Sequence, residues 1–426
     1  MIEDIKRVCS AENEGGIAAM DNKRVCGMEE TLFQKLQRVR FGDIGHMFLF
    51  LFALPIALIY KLFRRDMWLI CDNKNEARDN GYHLYKYIRK NYPEQDAVYA
   101  ISKRSPDYAR VKDLGKVVNY GTFLHWIFYL AAKKNISSQK GGKPNAAVCY
   151  FLEVNGILKN TRVFLQHGIV KDDMPWLYYV NTKMRLFVCT SAREVKYVNE
   201  NFGYPEGYVK QLGICRFDAL FDMQVKEKQI LLMPTWRSWI ATPTTASYEI
   251  EDISEFRNTE FFKGWNEFLG SERLHNILKK NDLKLIFYPH RDMQAFLKYF
   301  DIRNENIIIA KWPEYDVQEL LKESRYLITD YSSIAMDFAY MKKRLMYYQF
   351  DYQDFRKGQY PEGYYSYEKD GFGPVCYELD KALDELEAAI SENYENKEIY
   401  LRRHSDFFDL YDNQNCERNY QAIKEL

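Results

Sequence analysis

Two of the seven histidines stand just after short apolar runs: His167 follows "RVFLQ" and His290 follows "KLIFYP". A third run, "ILLM", leads into Pro234, Thr235, Trp236 and Arg237, and a fourth, "RYLIT", into Asp330, Tyr331, Ser332 and Ser333. Ile334, Phe338 and Met341 then recur at the spacing of a helix face, so Ser332 and Ser333 open a helix. N–H groups without partners and the positive end of the dipole make such a start either a capped terminus or an anion site. With Arg237 and His290 on the same rim, this set suits a diphosphate, whose leaving oxygen gains charge as the bond breaks. Asp337, one turn into the helix, could accept from ribose hydroxyls, or be a solvated helix carboxylate. His167, beside Gly168, has the chemistry of a general base, with a packed structural histidine as the alternative. Lys171, Asp172 and Asp173 could meet a metal or acceptor hydroxyls, or form a solvated loop.

These groups need elements that bring them together. From residue 65 onward, apolar runs alternate with helical patterns: 67–71, 97–101, 162–166, 186–190 and 209–213, then 230–234, 284–289, 306–310, 325–329 and 344–348. Runs that are continuously apolar rather than alternating point to parallel strands covered on both faces. The expected fold class is α/β, with two doubly wound Rossmann-like domains facing a cleft. The chain divides into 1–65 (a polar start and an apolar membrane-associating segment), 66–225 (an acceptor-side domain), 226–380 (a nucleotide-donor domain) and 381–426 (helices packing back). Ligands of open α/β sheets sit at the carboxyl ends of the strands, where the histidines, arginine and serines fall.

A length of 426 residues exceeds what one core usually serves. Lys plus Arg (60) balances Asp plus Glu (60), and there is no basic stripe, which argues against nucleic acid as a partner. The eight cysteines are scattered, without metal or disulfide spacing, as expected of reduced core thiols. No Walker loop and no GxGxxG after a strand favours triphosphate hydrolysis or dinucleotide binding. No cofactor is implied and no metal ligand set is found.

The first thirty residues are polar and read as poorly ordered, with no signal peptide. Met47 to Tyr60, "MFLFLFALPIALIY", is uncharged and as a helix would reach about 21 Å, short of the roughly 30 Å of a bilayer core. Pro55 is expected to kink it. Lys35, Arg38 and Arg40 precede it, and Lys61, Arg64 and Arg65 follow. Positive charge on both sides suits a segment lying in the headgroup region. A span and a buried core helix are the alternatives. Tyr120 to Lys134 has a similar character, and is either a second contact or a core helix with a packed or capping His125.

"RRDMWLICDNKNEARDNGYHLYKYIRKNYPE", "QHG", "LMPTWR", "YPHRDM" and "LITDYSSIAMDF", in that order, resemble the CDP-glycerol glycerophosphotransferase family of bacterial teichoic acid and capsule synthesis. The resemblance implies a GT-B fold and a peripheral, monotopic place on the cytoplasmic face of the cell membrane. It implies transfer of glycerol phosphate, or ribitol phosphate, from a CDP-activated donor to a hydroxyl of a lipid-linked saccharide or polymer, with release of CMP. On it, His167 matches the family's proposed base and His290 its second essential histidine, near the donor diphosphate. Ser332 and Ser333 match the phosphate-binding hydroxyls, and Arg237, Asp337, Thr235 and Asp330 complete the donor side. Gly168, Lys171, Asp172 and Asp173 fall on the acceptor side, where "QHGIVKDDMPW" departs from the family's "WHGTPLK" and so bears on acceptor and polyol. Without a long helical-repeat appendage, transfer of one or a few units is expected. Rival readings are a GT-B sugar transferase or epimerase using a nucleotide-diphosphate sugar, and a non-catalytic membrane-surface scaffold.

Overall fold

The computed structural model describes residues 41–158, 160–240 and 253–426, so the polar start lies outside the described residues. Phe50–Leu426 forms one compact unit, built on two sheets. The first holds β1 (Trp68–Cys71), β2 (Ala97–Ile101), β3 (Lys116–Asn119), β4 (Lys134–Ser137), β5 (Thr161–Phe164), β6 (Leu186–Cys189) and β7 (Val209–Gln211). The second holds β8 (Lys226–Met233), β9 (Lys284–Phe287), β10 (Ile307–Ile309), β11 (Ser324–Thr329), β12 (Leu345–Tyr348) and β13 (Val375–Cys376). Their orders are β3-β2-β1-β4-β5-β6-β7 and β10-β9-β8-β11-β12-β13, with every pairing parallel. Each sheet is wound outward in one direction and then in the other, reversing between β1 and β4 and between β8 and β11. This is the doubly wound α/β, GT-B-like class that the alternating pattern predicts. The central strands are buried along their length, which is why they read as apolar runs rather than alternating ones.

Helices cover both faces. Leu379–Ser391 packs Ala382, Leu383 and Leu386 into the second lobe's core. The last helix, Asn415–Lys424, returns to the first lobe, where Cys416, Tyr420 and Ile423 join the cluster around Trp68 and Ile70. All six described cysteines are buried and free.

The apolar segment is a helix, Phe41–Phe63, of 23 residues and about 34 Å. It is longer than expected and continuous through Pro55, whose ring lies on the exposed face. Ala53 and Ala57, one turn apart, are buried, and the Phe50 and Tyr60 rings meet Trp126 and Phe128 at 5.8 and 5.4 Å. The segment containing those partners forms a largely buried helix, Phe123–Ala131. It matches the core reading of Tyr120 to Lys134, with His125 packed and its Nδ1 accepting from the Gly121 N–H at 3.0 Å. The opposite face of the long helix exposes Leu51, Phe52, Leu58, Ile59, Leu62 and Phe63. It is the one helix among the described residues long and apolar enough to cross a membrane.

Candidate active site

The carboxyl ends of β5, β8, β9 and β11 meet across the cleft between the lobes. His167, past the end of β5, is exposed to that cleft, and its Nδ1 lies 2.5 Å from Asp79 Oδ2. A carboxylate only accepts, so Nδ1 carries the proton and Nε2 of the neutral ring is the nitrogen left to take one. The Asp79 charge is the main cause raising the His167 pKa, with desolvation by the surrounding cleft opposing it.

Asp79 caps the helix Asn80–Asn91; its Oδ1 accepts from Asn80 N at 2.8 Å and from Arg216 Nη1 at 2.9 Å. Burial works to raise its pKa, but His167 and Arg216 outweigh that and hold it below the ordinary value. Asp72, at the end of β1, accepts from the N–H groups of Asp79, Gly81 and Tyr82 at 2.7–3.1 Å and from the Tyr99 hydroxyl at 2.8 Å. Burial, with Asp79 close by, pushes Asp72 up to about 7. Arg216 lies in the 3-10 turn Cys215–Leu220, whose Phe217 and Leu220 enter the second lobe's core. Besides Asp79 it donates to the His167 carbonyl at 2.6 Å and grips both Asp337 oxygens at 2.6 and 2.9 Å. A buried charge chain, Asp79–Arg216–Asp337, thus ties His167 to both lobes.

His290 faces the same space from the second lobe, its ring 6.1 Å from that of Trp236. Burial pulls its pKa down to about 4; Asp292 opposes the fall, while His167 and Arg291 add to it. Neutral His290 can donate a hydrogen bond to an anionic oxygen without itself carrying charge. Ser332 and Ser333 are half-buried at the start of Ile334–Tyr340. Ser332 Oγ accepts from Ile334 N at 3.3 Å, and Ser333 makes no capping bond. A Cβ on Gly168 would fall 2.5 Å from Ser333 Oγ, so only glycine lets the His167 loop approach the serine turn this closely.

Four donor-side expectations need correction. Arg237 is fully buried and does not line the cleft: it pairs with Asp330 at 2.9 Å and with both Asp351 oxygens at 2.8 and 3.0 Å. Asp330 is equally buried and also takes the Thr235 N–H and hydroxyl at 2.8 and 2.5 Å. Thr235, Arg237 and Asp330 therefore brace the switch point between β8 and β11. Asp337 is occupied by Arg216, which replaces the ribose contact.

The acceptor-side set differs as well. Residues 168–176 form a strap between the lobes: Ile169 enters the second lobe's core and Val170 the first lobe's. Lys171 is buried against Asp172, which pairs with Arg356 at 2.6 Å, while Asp173 N donates to the Pro361 carbonyl at 3.2 Å. Asp173 also accepts from the Tyr178 hydroxyl at 2.7 Å. Lys171 and Asp172 are internal ties rather than free acceptor ligands. Among the described residues no three His, Cys, Asp or Glu are grouped to hold a metal ion.

Residues 53–425 match the family described as CDP-glycerol:poly(glycerophosphate) glycerophosphotransferase. The chain belongs to this family. It is 32% identical over 382 residues to the minor teichoic acid biosynthesis protein GgaB of Bacillus subtilis (strain 168), covering 88% of this chain and 42% of that protein. To the teichoic acid ribitol-phosphate polymerase TarL of Staphylococcus aureus (strain NCTC 8325 / PS 47) it is 26% identical over 248 residues, 54% of this chain and 40% of that one. It spans about two fifths of the length of these two relatives. A solved structure of the wall teichoic acid polymerase TagF shares the fold, with a TM-score of 0.59 and 16% identity over 84% of this chain and 90% of that one. A putative UDP-N-acetylglucosamine 2-epimerase from Listeria monocytogenes does so with a TM-score of 0.53 and 12% identity, covering 84% and 96%. In this glycerophosphotransferase-family chain, sequence reasoning missed Asp79 and Arg216. Asp79 had a signal, a carboxylate opening a helix, but its partner His167 lies 88 residues away.

Proposed function

We propose that the chain transfers a polyol phosphate, glycerol phosphate or ribitol phosphate, from a CDP-activated donor to a hydroxyl of a lipid-linked saccharide or cell-surface polymer. His167 Nε2 takes the proton of the acceptor hydroxyl as its oxygen attacks the β-phosphorus. The bond from that phosphorus to the bridging oxygen breaks, and CMP leaves with the electron pair. His290, Ser332 and Ser333 hold the diphosphate oxygens and stabilise charge on the leaving phosphate. Asp79 and Arg216 position the base. The observation carrying the reading is the His167–Asp79 pair opposite the His290 and serine rim, in a chain of this family.

The exposed apolar face of Phe41–Phe63 supports a peripheral place on a membrane, on its cytoplasmic side in this reading. The small-residue face packs on the protein, which suits a helix lying in the headgroup layer with its apolar side toward lipid.

The test is CMP release by detergent-solubilised protein given CDP-glycerol and CDP-ribitol in parallel, with wild type beside His167→Ala. Loss of the base is expected to cost about 100- to 10,000-fold in a variant that stays folded. Near-normal turnover of His167→Ala would refute the role. Turnover of UDP-N-acetylglucosamine with none of either CDP-polyol would favour a nucleotide-sugar enzyme on the same fold.

A further inference from the structure

The first sheet reverses its order between β1 and β4, and open α/β sheets take ligands in the crevice above such a switch point. The loop leaving β4 there, residues 138–145 with sequence "SQKGGKPN", has no part in the mechanism above. It holds Lys140 and Lys143. Lys143 Nζ and Arg162 Nη1 both donate to one Glu153 oxygen, while the other takes the Tyr129 hydroxyl. One buried carboxylate therefore already serves two cations.

Lys140 is a third cation in the same place and makes no ion pair among the described residues. Its Nζ donates to the Trp176 carbonyl at 2.9 Å and lies 5.3 Å from the centre of the Tyr150 ring. Three cations against one carboxylate leave two positive charges in excess. Burial first, then Lys143 and Arg162 against the opposing pull of Glu153, lower the Lys140 pKa to about 8. The Gly141 and Gly142 N–H groups have no acceptor among the described residues. The loop is also pressed into place, since a Cβ on Gly142 would lie 2.3 Å from Ser137 Oγ and 3.3 Å from Cys71 Cβ.

β4 lies between β1 and β5, so this loop leaves the sheet edge that also presents His167. Trp176, which Lys140 holds, ends the strap that begins beside His167. Trp176 and Tyr150 are each about two-fifths exposed, at 42% and 40%.

We propose that this loop is an acceptor-side anion site: Lys140 Nζ, with the Gly141 and Gly142 N–H groups, binds a phosphate group of the acceptor, while Tyr150 and Trp176 flank what that phosphate carries. The inference rests on the transfer reading above and assigns a phosphate of the acceptor to this loop. A phosphodiester of a polyol-phosphate chain and the diphosphate of a lipid-linked saccharide present the same oxygens.

The experiment compares wild type, Lys140→Ala and Lys140→Arg as full chains in detergent. The probes are a soluble oligo(glycerol phosphate), a short-chain prenyl-diphosphate disaccharide, and a phosphate-free alkyl glycoside. Binding is followed by tryptophan fluorescence and calorimetry, and transfer by CMP release at saturating CDP-glycerol. Loss of a charge-assisted contact is expected to weaken Lys140→Ala roughly 10- to 100-fold toward one phosphate-bearing probe. Lys140→Arg should recover most of that loss, the KM for CDP-glycerol should not move, and the phosphate-free glycoside should not respond. Whichever phosphate probe loses affinity identifies the group. Equal affinity of wild type and Lys140→Ala for both phosphate probes would overturn the site, as would an equal loss toward the phosphate-free glycoside. Wild type that binds a phosphate probe through Lys140 yet releases no CMP from either CDP-glycerol or CDP-ribitol would fault the transfer reading and leave the anion site standing.

Discussion

Replacing Asp79 with asparagine tests the positioning of the base with little change in shape. In the native site Asp79 Oδ2 accepts the His167 Nδ1 proton at 2.5 Å, and Oδ1 meets Arg216 at 2.9 Å. An asparagine that keeps its carbonyl toward Arg216 must turn its amide N–H₂ toward Nδ1. The ring then favours the tautomer with its proton on Nε2, the nitrogen needed as base. Loss of a charge-assisted hydrogen bond costs about 1.5–3 kcal/mol, roughly 10- to 150-fold in rate at about 1.4 kcal/mol per decade. The wrong tautomer adds to that, and the same exchange in a serine-protease triad costs about 10⁴-fold. Asp79→Asn should therefore lower kcat/KM for CMP release by about 10²- to 10⁴-fold. The pH profile gives an independent sign. The base works unprotonated, so activity rises with pH through the His167 pKa, which Asp79 raises above 6.5. Removing that charge should move the acid limb to lower pH while the plateau falls. A variant with kcat/KM within about threefold of wild type and an unmoved limb would refute the dyad.

Arg237→Ala should act on stability, because it strands the buried carboxylates of Asp330 and Asp351; removing one partner of such a pair costs about 3–5 kcal/mol. Urea unfolding reads this, and weakened CDP binding at unchanged stability would instead return Arg237 to the donor site. Leu51→Glu with Leu58→Glu places two carboxylates on the exposed face of the long helix. At about 1.5–3 kcal/mol per buried leucine, the double variant should lose roughly a hundredfold or more in partition to anionic vesicles during flotation, and unchanged flotation would rule out lipid contact by that face.

The sequence displays the strands that are apolar throughout, such as "WLIC" and "LFVC", because both faces of those strands are covered. It hides β3 and β4. β4 begins with Lys134, fully buried, whose ammonium donates to the carbonyls of Ile423 and Lys424 and lies 4.9 Å from the Trp68 ring centre. A charged residue buried by partners nearly 300 positions away looks locally like the end of the preceding helix. Arg237 misled in a related way. It follows a strand, as a phosphate ligand would, but its partner Asp351 comes 114 residues later. The histidines were legible because strand-end placement is a local pattern, whereas the charge chain through Arg216 exists only once the lobes are packed.

The strap after His167 has a consequence for motion between the lobes. His167 belongs to the first lobe by sequence, but the residues just after it are stitched into the second through Ile169 and Asp172. The ring is therefore registered on both lobes at once, through Asp79 on one side and the strap on the other, so opening the cleft would have to break one of these ties. Insertions or deletions between Gly168 and Trp176 would break that registration.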